Sequence, residues 1–128
     1  MIQGLSHITI IVKDLERTAR LLCGGLGAKE VYDSRDKSFS ISREKFFILG
    51  GVWLAAMEGD TCEKSYRHVA FRVEEKDLPV FKKRLSGLGV EFLPSRPRVE
   101  GEGRSLYFYD YDNNLFELHS GDLSDRLS

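Results

Sequence analysis

The chain has 128 residues, 41% of them hydrophobic and 30% charged, with a net charge of −1. That length makes one domain, able to bury a core without disulfide support, and the near-neutral balance gives no general attraction to nucleic acid or acidic membranes. No apolar stretch reaches spanning length, and the opening MIQGLSHITIIVKD has neither a basic segment nor an export cleavage site.

The two cysteines, Cys23 and Cys62, make no disulfide framework and read as reduced bystanders. A cytoplasmic protein with no nucleic-acid or membrane partner is expected. In chain order, SHITIIV at 6–12 alternates as a strand. Asp14 then caps a helix whose apolar face is Leu15, Ala19 and Leu22, with Gly24 or Gly25 as its stop. Strand-like runs follow near 29–33, 38–42 and 46–57, the last bent at Gly50-Gly51. The second half restates the first. YRHVAFRV at 66–73 is a strand, and Asp77 opens a helix with Pro79 in its first turn. Leu78, Phe81 and Leu85 form that helix's apolar face and Gly87 its stop. Strands are expected near 90–93, 104–110 and 115–120.

Both halves carry Lys-Asp-Leu before the helix and Gly-Leu-Gly after it, and they close alike, on EGD at 58–60 and SGD at 120–122. The expected fold is α+β: a βαβββ module used twice, over about 4–60 and 65–122, in a single domain of residues 1–128. The two modules together would form a curved eight-stranded mixed sheet with helices outside.

Strand side chains alternate faces. Ile8, Ile10 and Val12 share a face, as do Val69, Phe71 and Val73, Leu106 and Phe108, and Phe116 and Leu118. These faces suit packing under helices. The opposite faces carry His7, Thr9, Tyr66, His68, Ser105, Tyr107 and Glu117. Glu117 stands among Leu115, Phe116 and Leu118, where an unpartnered carboxylate is expensive. Aligning the halves puts His7 on His68 and Glu117 on Ala55, so three of four symmetric positions hold metal-binding types. Two imidazoles and one carboxylate form a facial triad for Mn²⁺ or Fe²⁺ with open coordination positions. Taken singly, a strand histidine is more often structural and a strand glutamate often faces water. His119, roughly 6.8 Å beyond Glu117 along the strand, is read as supporting or structural.

The repeat and its residues resemble the vicinal oxygen chelate superfamily, the glyoxalase/bleomycin-resistance/dioxygenase fold. GLSHITIIVKDL, SREKFFILGGVW, YRHVAF and RPRVEGEGRSLYFYDYDNNLFELHSGDL are similar to its fosfomycin-resistance epoxide hydrolase branch, over nearly the whole chain. The resemblance implies Mn²⁺, or another divalent metal, held by His7, His68 and Glu117. It implies a homodimer whose halves pair across the interface. It also implies hydration of fosfomycin, a small phosphonate epoxide, with Glu44 of SREKFF as the general base for water, drawn from a turn between strands and away from the ligand face. Thr9, Tyr66, Ser105, Tyr107 and Arg126 correspond to substrate-binding positions, and Arg98 is expected to replace a lysine on the phosphonate. Without the resemblance Glu44 reads as a solvated turn residue. The rival readings are a thiol transferase on the same scaffold, an Fe²⁺ extradiol dioxygenase with the same ligand set, and a non-catalytic drug-binding protein.

Overall fold

A computed structural model describes residues 1–35, 41–94 and 104–128. The chain divides into two compact units, Met1–Cys62 and Glu63–Ser128, which coincide with the two halves of the repeat. In the first unit β1 (His7–Val12) leads to helix α1 (Leu15–Arg20), which widens into π-type turns over Leu21–Gly25. Then come β2 (Lys29–Asp33), β3 (Glu44–Leu49) and β4 (Val52–Glu58). In the second, β5 (His68–Arg72) precedes α2 (Leu78–Gly87), β6 (Glu91–Phe92), β7 (Ser105–Tyr109), β8 (Leu115–His119) and a short α3 (Leu123–Leu127).

The eight strands fall in two four-stranded sheets, ordered β1-β4-β3-β2 and β5-β8-β7-β6. In each sheet the first pair is parallel and the other two antiparallel. The expected βαβββ module is therefore present twice. The registers agree as well, with Thr9 opposite Ala55 in the first sheet and Ala70 opposite Glu117 in the second.

Two local expectations change, and a third falls outside the described residues. The run near 46–57 is two strands, because Gly50 and Gly51 both have positive φ (58° and 78°). Two consecutive left-handed residues make the two-residue turn whose twist suits a hairpin, and Leu49 pairs with Val52 across it. The strand expected near 38–42 lies partly on 36–40, outside the described residues. Asp14 caps α1 by accepting from the Arg17 amide at 3.0 Å, but Asp77 caps nothing with its side chain. A 3-10 turn over Glu75–Asp77 starts the second helix early, so Asp77 already has helical backbone angles, unlike the extended backbone of Asp14. The helices stop as expected at Gly25 and Gly87, although the left-handed residues are Gly27 and Gly89.

Core packing follows the apolar faces. Val12, Leu15, Leu21, Leu22, Phe47 and Leu54 are buried in the first unit, and Leu85, Phe108, Phe116 and Leu118 in the second. The Phe108 and Phe116 rings stack at 5.5 Å. Each such side chain contributes about 1.5–3 kcal/mol when fully buried, and slipping a strand by one residue would turn its whole apolar set outward. The core therefore fixes the register, and the register fixes which side chains share the opposite face. Lys45 sits on the core side of β3 and is buried, with its Nζ 2.9 Å from Glu30 and 3.6 Å from Asp33. Among the described residues no helix is long and apolar enough to cross a membrane.

Candidate metal centre

Glu117 occupies the middle of β8, between β5 and β7, and is only 7% exposed. A buried carboxylate needs donors, and the neighbouring strands supply them. Ser105, opposite His119 on β7, donates its hydroxyl to Glu117 Oε2 at 2.6 Å. His119 Nδ1 lies 2.7 Å from Ser105 Oγ and 3.2 Å from the same Oε2. Tyr107 is directly opposite Glu117 and accepts from the Tyr66 hydroxyl at 3.0 Å. Burial, and then the neighbouring Tyr66 hydroxyl and Glu117 carboxylate, push the Tyr107 phenol above its ordinary value. Tyr107 therefore stays protonated and able to donate.

The other carboxylate oxygen faces a different kind of atom. Glu117 Oε1 is 3.1 Å from His68 Nε2. His68 Nδ1 lies 2.7 Å from the Tyr66 carbonyl oxygen, which can only accept, so the ring hydrogen is on Nδ1. In the neutral imidazole Nε2 then presents a lone pair to a carboxylate lone pair, with no hydrogen between them. A second ring proton or a cation must offset that repulsion. Two ligands at about 2.1 Å from an ion and at right angles stand about 3.0 Å apart, so the spacing fits adjacent ligands of a divalent metal. The orientation of His68 by a backbone carbonyl is also the usual support of a metal-bound imidazole.

In the first sheet His7 sits opposite Trp53, its ring 4.3 Å from the indole and its Nδ1 2.9 Å from Ser6 Oγ. Trp53 carries no signal in the sequence. Only the pairing of β1 with β4 reveals it, since the two residues lie 46 positions apart along the chain. Thr9 is exposed beside Ala55. Among the described residues no group of three or more His, Cys, Asp or Glu side chains is arranged to hold a metal. The structure brings His68 and Glu117 together and places His7 in the other unit.

Glu44 is not in a turn. It is the first residue of β3, half-buried and opposite Met57, and its amide donates to Ser34 Oγ at 2.9 Å. By strand parity it shares a face with Phe46 and, through the β3–β4–β1 register, with His7 and Thr9. The expectation that it stands off the ligand face is thus corrected: it lies on that face, two strands from β1, or about 10 Å sideways. The sequence hid this because the hairpin at Gly50-Gly51 moves the start of β3 back to residue 44. Of the arginines, Arg104 is paired with Glu75 at 2.8 Å and Arg126 lies in the last turn of α3. Arg96 and Arg98 fall outside the described residues. Neither cysteine is in a disulfide.

Residues 4–118 match the Glyoxalase/Bleomycin resistance protein/Dioxygenase superfamily. A Listeria monocytogenes protein named fosfomycin resistance protein FosX is 55% identical over 99% of this chain and 96% of its own length. A protein of the same name from Mesorhizobium japonicum is 54% identical over 100% and 93%. A metallothiol transferase FosB from Bacillus licheniformis is 36% identical over 98% and 80%. Among solved structures, a Glu-to-Gln variant of Listeria monocytogenes FosX, complexed with Mn(II) and 1S,2S-dihydroxypropylphosphonic acid, superposes with a TM-score of 0.92 at 50% identity. That match covers 100% of this chain and 98% of the other.

Proposed function

Because the chain belongs to the glyoxalase/bleomycin resistance protein/dioxygenase superfamily, we propose that it is a Mn²⁺-dependent enzyme that adds water to fosfomycin and opens its oxirane ring, conferring fosfomycin resistance. The observation that carries this reading is the His68–Glu117 pair, whose facing lone pairs at 3.1 Å suit a shared cation. Its context is full-length similarity to fosfomycin resistance proteins, one of which is known with Mn(II) and a dihydroxypropylphosphonic acid. That acid has the composition of fosfomycin plus water.

His7, His68 and Glu117 are the proposed ligands. The argument for His7 is that it holds the same register position in the first sheet as His68 in the second. Bound there, the ion would act as a Lewis acid toward the epoxide oxygen. The chain's own residues do the rest. Glu44 takes a proton from water, whose oxygen bonds to an oxirane carbon as the carbon–oxygen bond on its far side breaks. The released oxygen takes a proton from solvent to become the second hydroxyl, Glu44 returns its proton to solvent, and the exposed Tyr66 phenol is the proposed hydrogen-bond partner of that oxygen. Thr9, Arg98, Ser105, Tyr107 and Arg126 are the proposed phosphonate contacts. Ser105 already donates to Glu117 and none of the hydroxyls carries a charge, so charge neutralisation falls on Arg98 and Arg126. The protein is further proposed to be cytoplasmic and a homodimer, the commonest closed assembly. Light scattering at micromolar concentration should give twice the chain mass.

Phosphorus NMR of fosfomycin with the protein and Mn²⁺ tests the reaction. The diol signal should grow with no thiol present, and Glu44→Gln should slow it by about 10²–10⁴, the usual contribution of a positioned general base. Binding of Mn²⁺ and fosfomycin should hardly change in that variant. Conversion only when a thiol is added would instead make the protein a transferase like its 36% identical relative.

A further inference from the structure

We infer that His119 is a positioning residue for the metal centre: through its Nδ1–H it pins one oxygen of Glu117, so that the carboxylate serves as a one-oxygen ligand through Oε1. This rests on the reading of His68 and Glu117 as ligands.

The inference follows from counting hydrogens. Ser105 has one hydroxyl hydrogen, and the 2.6 Å contact with Glu117 Oε2 takes it. The Ser105 oxygen can then only accept from His119 Nδ1, 2.7 Å away. Nδ1 is also 3.2 Å from Oε2 itself. A bare Nδ1 would aim its lone pair at two acceptors with no hydrogen available, so the hydrogen is on Nδ1. Oε2 is thus fixed by two donors, Ser105 Oγ and His119 Nδ1. Oε1 alone is turned to His68 Nε2. The strand geometry explains how two residues of one strand cooperate in this way. Glu117 and His119 point from the same face of β8, and Ser105 is opposite His119 on β7, so the hydroxyl bridges the gap between them.

Donors that orient a ligating carboxylate typically account for about 10–100-fold in metal affinity. The test is Mn²⁺ affinity of the full chain by calorimetry or electron paramagnetic resonance, without substrate and at one pH. His119→Ala should weaken binding by about 10–100-fold, and Ser105→Ala should weaken it in the same direction. His119→Asn, whose amide N–H reaches nearly the place of Nδ1–H, should restore affinity to within about threefold of wild type. A merely structural role would not follow the donor in this way. Metal-free melting curves report whether each variant is folded; should His119→Ala not fold, the Asn and Ser105→Ala variants carry the comparison. Wild-type affinity in His119→Ala, or equal weakening in His119→Asn, overturns the inference. Glu117→Ala and His68→Ala keep the two readings apart. If these bind Mn²⁺ as wild type does, the ligand assignment itself fails. If they lose the metal while His119→Ala keeps it, only the positioning role falls.

Discussion

In the first sheet Ala55 lies between Thr9 and Phe46; at the same register position of the second, Glu117 lies between Ala70 and Tyr107. The correspondence continues outward. Glu44 opposite Met57 in the first sheet takes the place of Ser105 opposite His119 in the second. One hydrogen-bonding scheme thus sets Ala55, Phe46 and Trp53 beside His7, Thr9 and Glu44 in one unit, and Glu117, Tyr107 and Ser105 beside His68 and His119 in the other. The difference teaches that the two faces of a strand answer to different demands. The helix-side face must keep its apolar alternation or lose the register. The opposite face can diverge residue by residue, provided any polar group placed there meets its partners on the adjacent strand.

Removing the one carboxylate that distinguishes the second sheet should have the largest effect. Glu117→Ala takes away a proposed ligand, and calorimetry should detect no Mn²⁺ binding, with diol formation reduced by at least about 10³-fold, equivalent to several kcal/mol of lost electrostatic stabilisation. Retained Mn²⁺ binding would erase the functional contrast between the sheets.

The reverse graft, Ala55→Glu, should fail to equalise them. Ala55 is 4% exposed, and its cross-strand neighbours are Thr9 and Phe46, not Ser105, Tyr107 and His119. The new carboxylate would be buried with too few donors, costing about 3 kcal/mol or more in urea unfolding. A second equivalent of bound Mn²⁺ in this variant would break the comparison.

The smallest effect concerns the Arg43–Asp33–Glu16 ion pairs of the first unit, which are structural. Arg43 donates to Asp33 at 2.9 and 3.2 Å and to Glu16 at 2.7 Å. The hydrogen bonds from Arg43 hold the Asp33 carboxyl well below the usual carboxylate range. A folded value below the unfolded one of about 3.9 means the stabilisation is complete above about pH 4. It is lost as the pH falls through the folded value. Asp33→Asn should therefore lower stability at pH 7 by about 1–2 kcal/mol, and the gap to wild type should narrow only in the acid range. Urea midpoints between pH 7 and pH 2 measure this, and a gap that is constant across that range would remove the ion pair from the account.

Much of this protein is legible in one dimension. Period-two alternation separated Ile8, Ile10 and Val12 from His7 and Thr9, and Phe116 and Leu118 from Glu117, because parity along a strand needs no knowledge of its neighbours. Internal repetition placed His7 on His68 and Glu117 on Ala55, and the observed registers agree. Cross-strand facts were out of reach. Trp53 under His7, Glu44 on the face of His7 and Thr9, and the Ser105 bridge between Glu117 and His119 all depend on which strands pair and in what register. Those pairings are set by the hairpin at Gly50-Gly51 and by the packing of apolar faces against helices. The sequence by itself determined which residues stand on the face opposite the apolar one, and so which are candidates for chemistry. Tertiary structure decided which of them touch, because a hydrogen bond of about 2.6–3.1 Å requires two separate strands to be held in one register, and only the buried core holds them there.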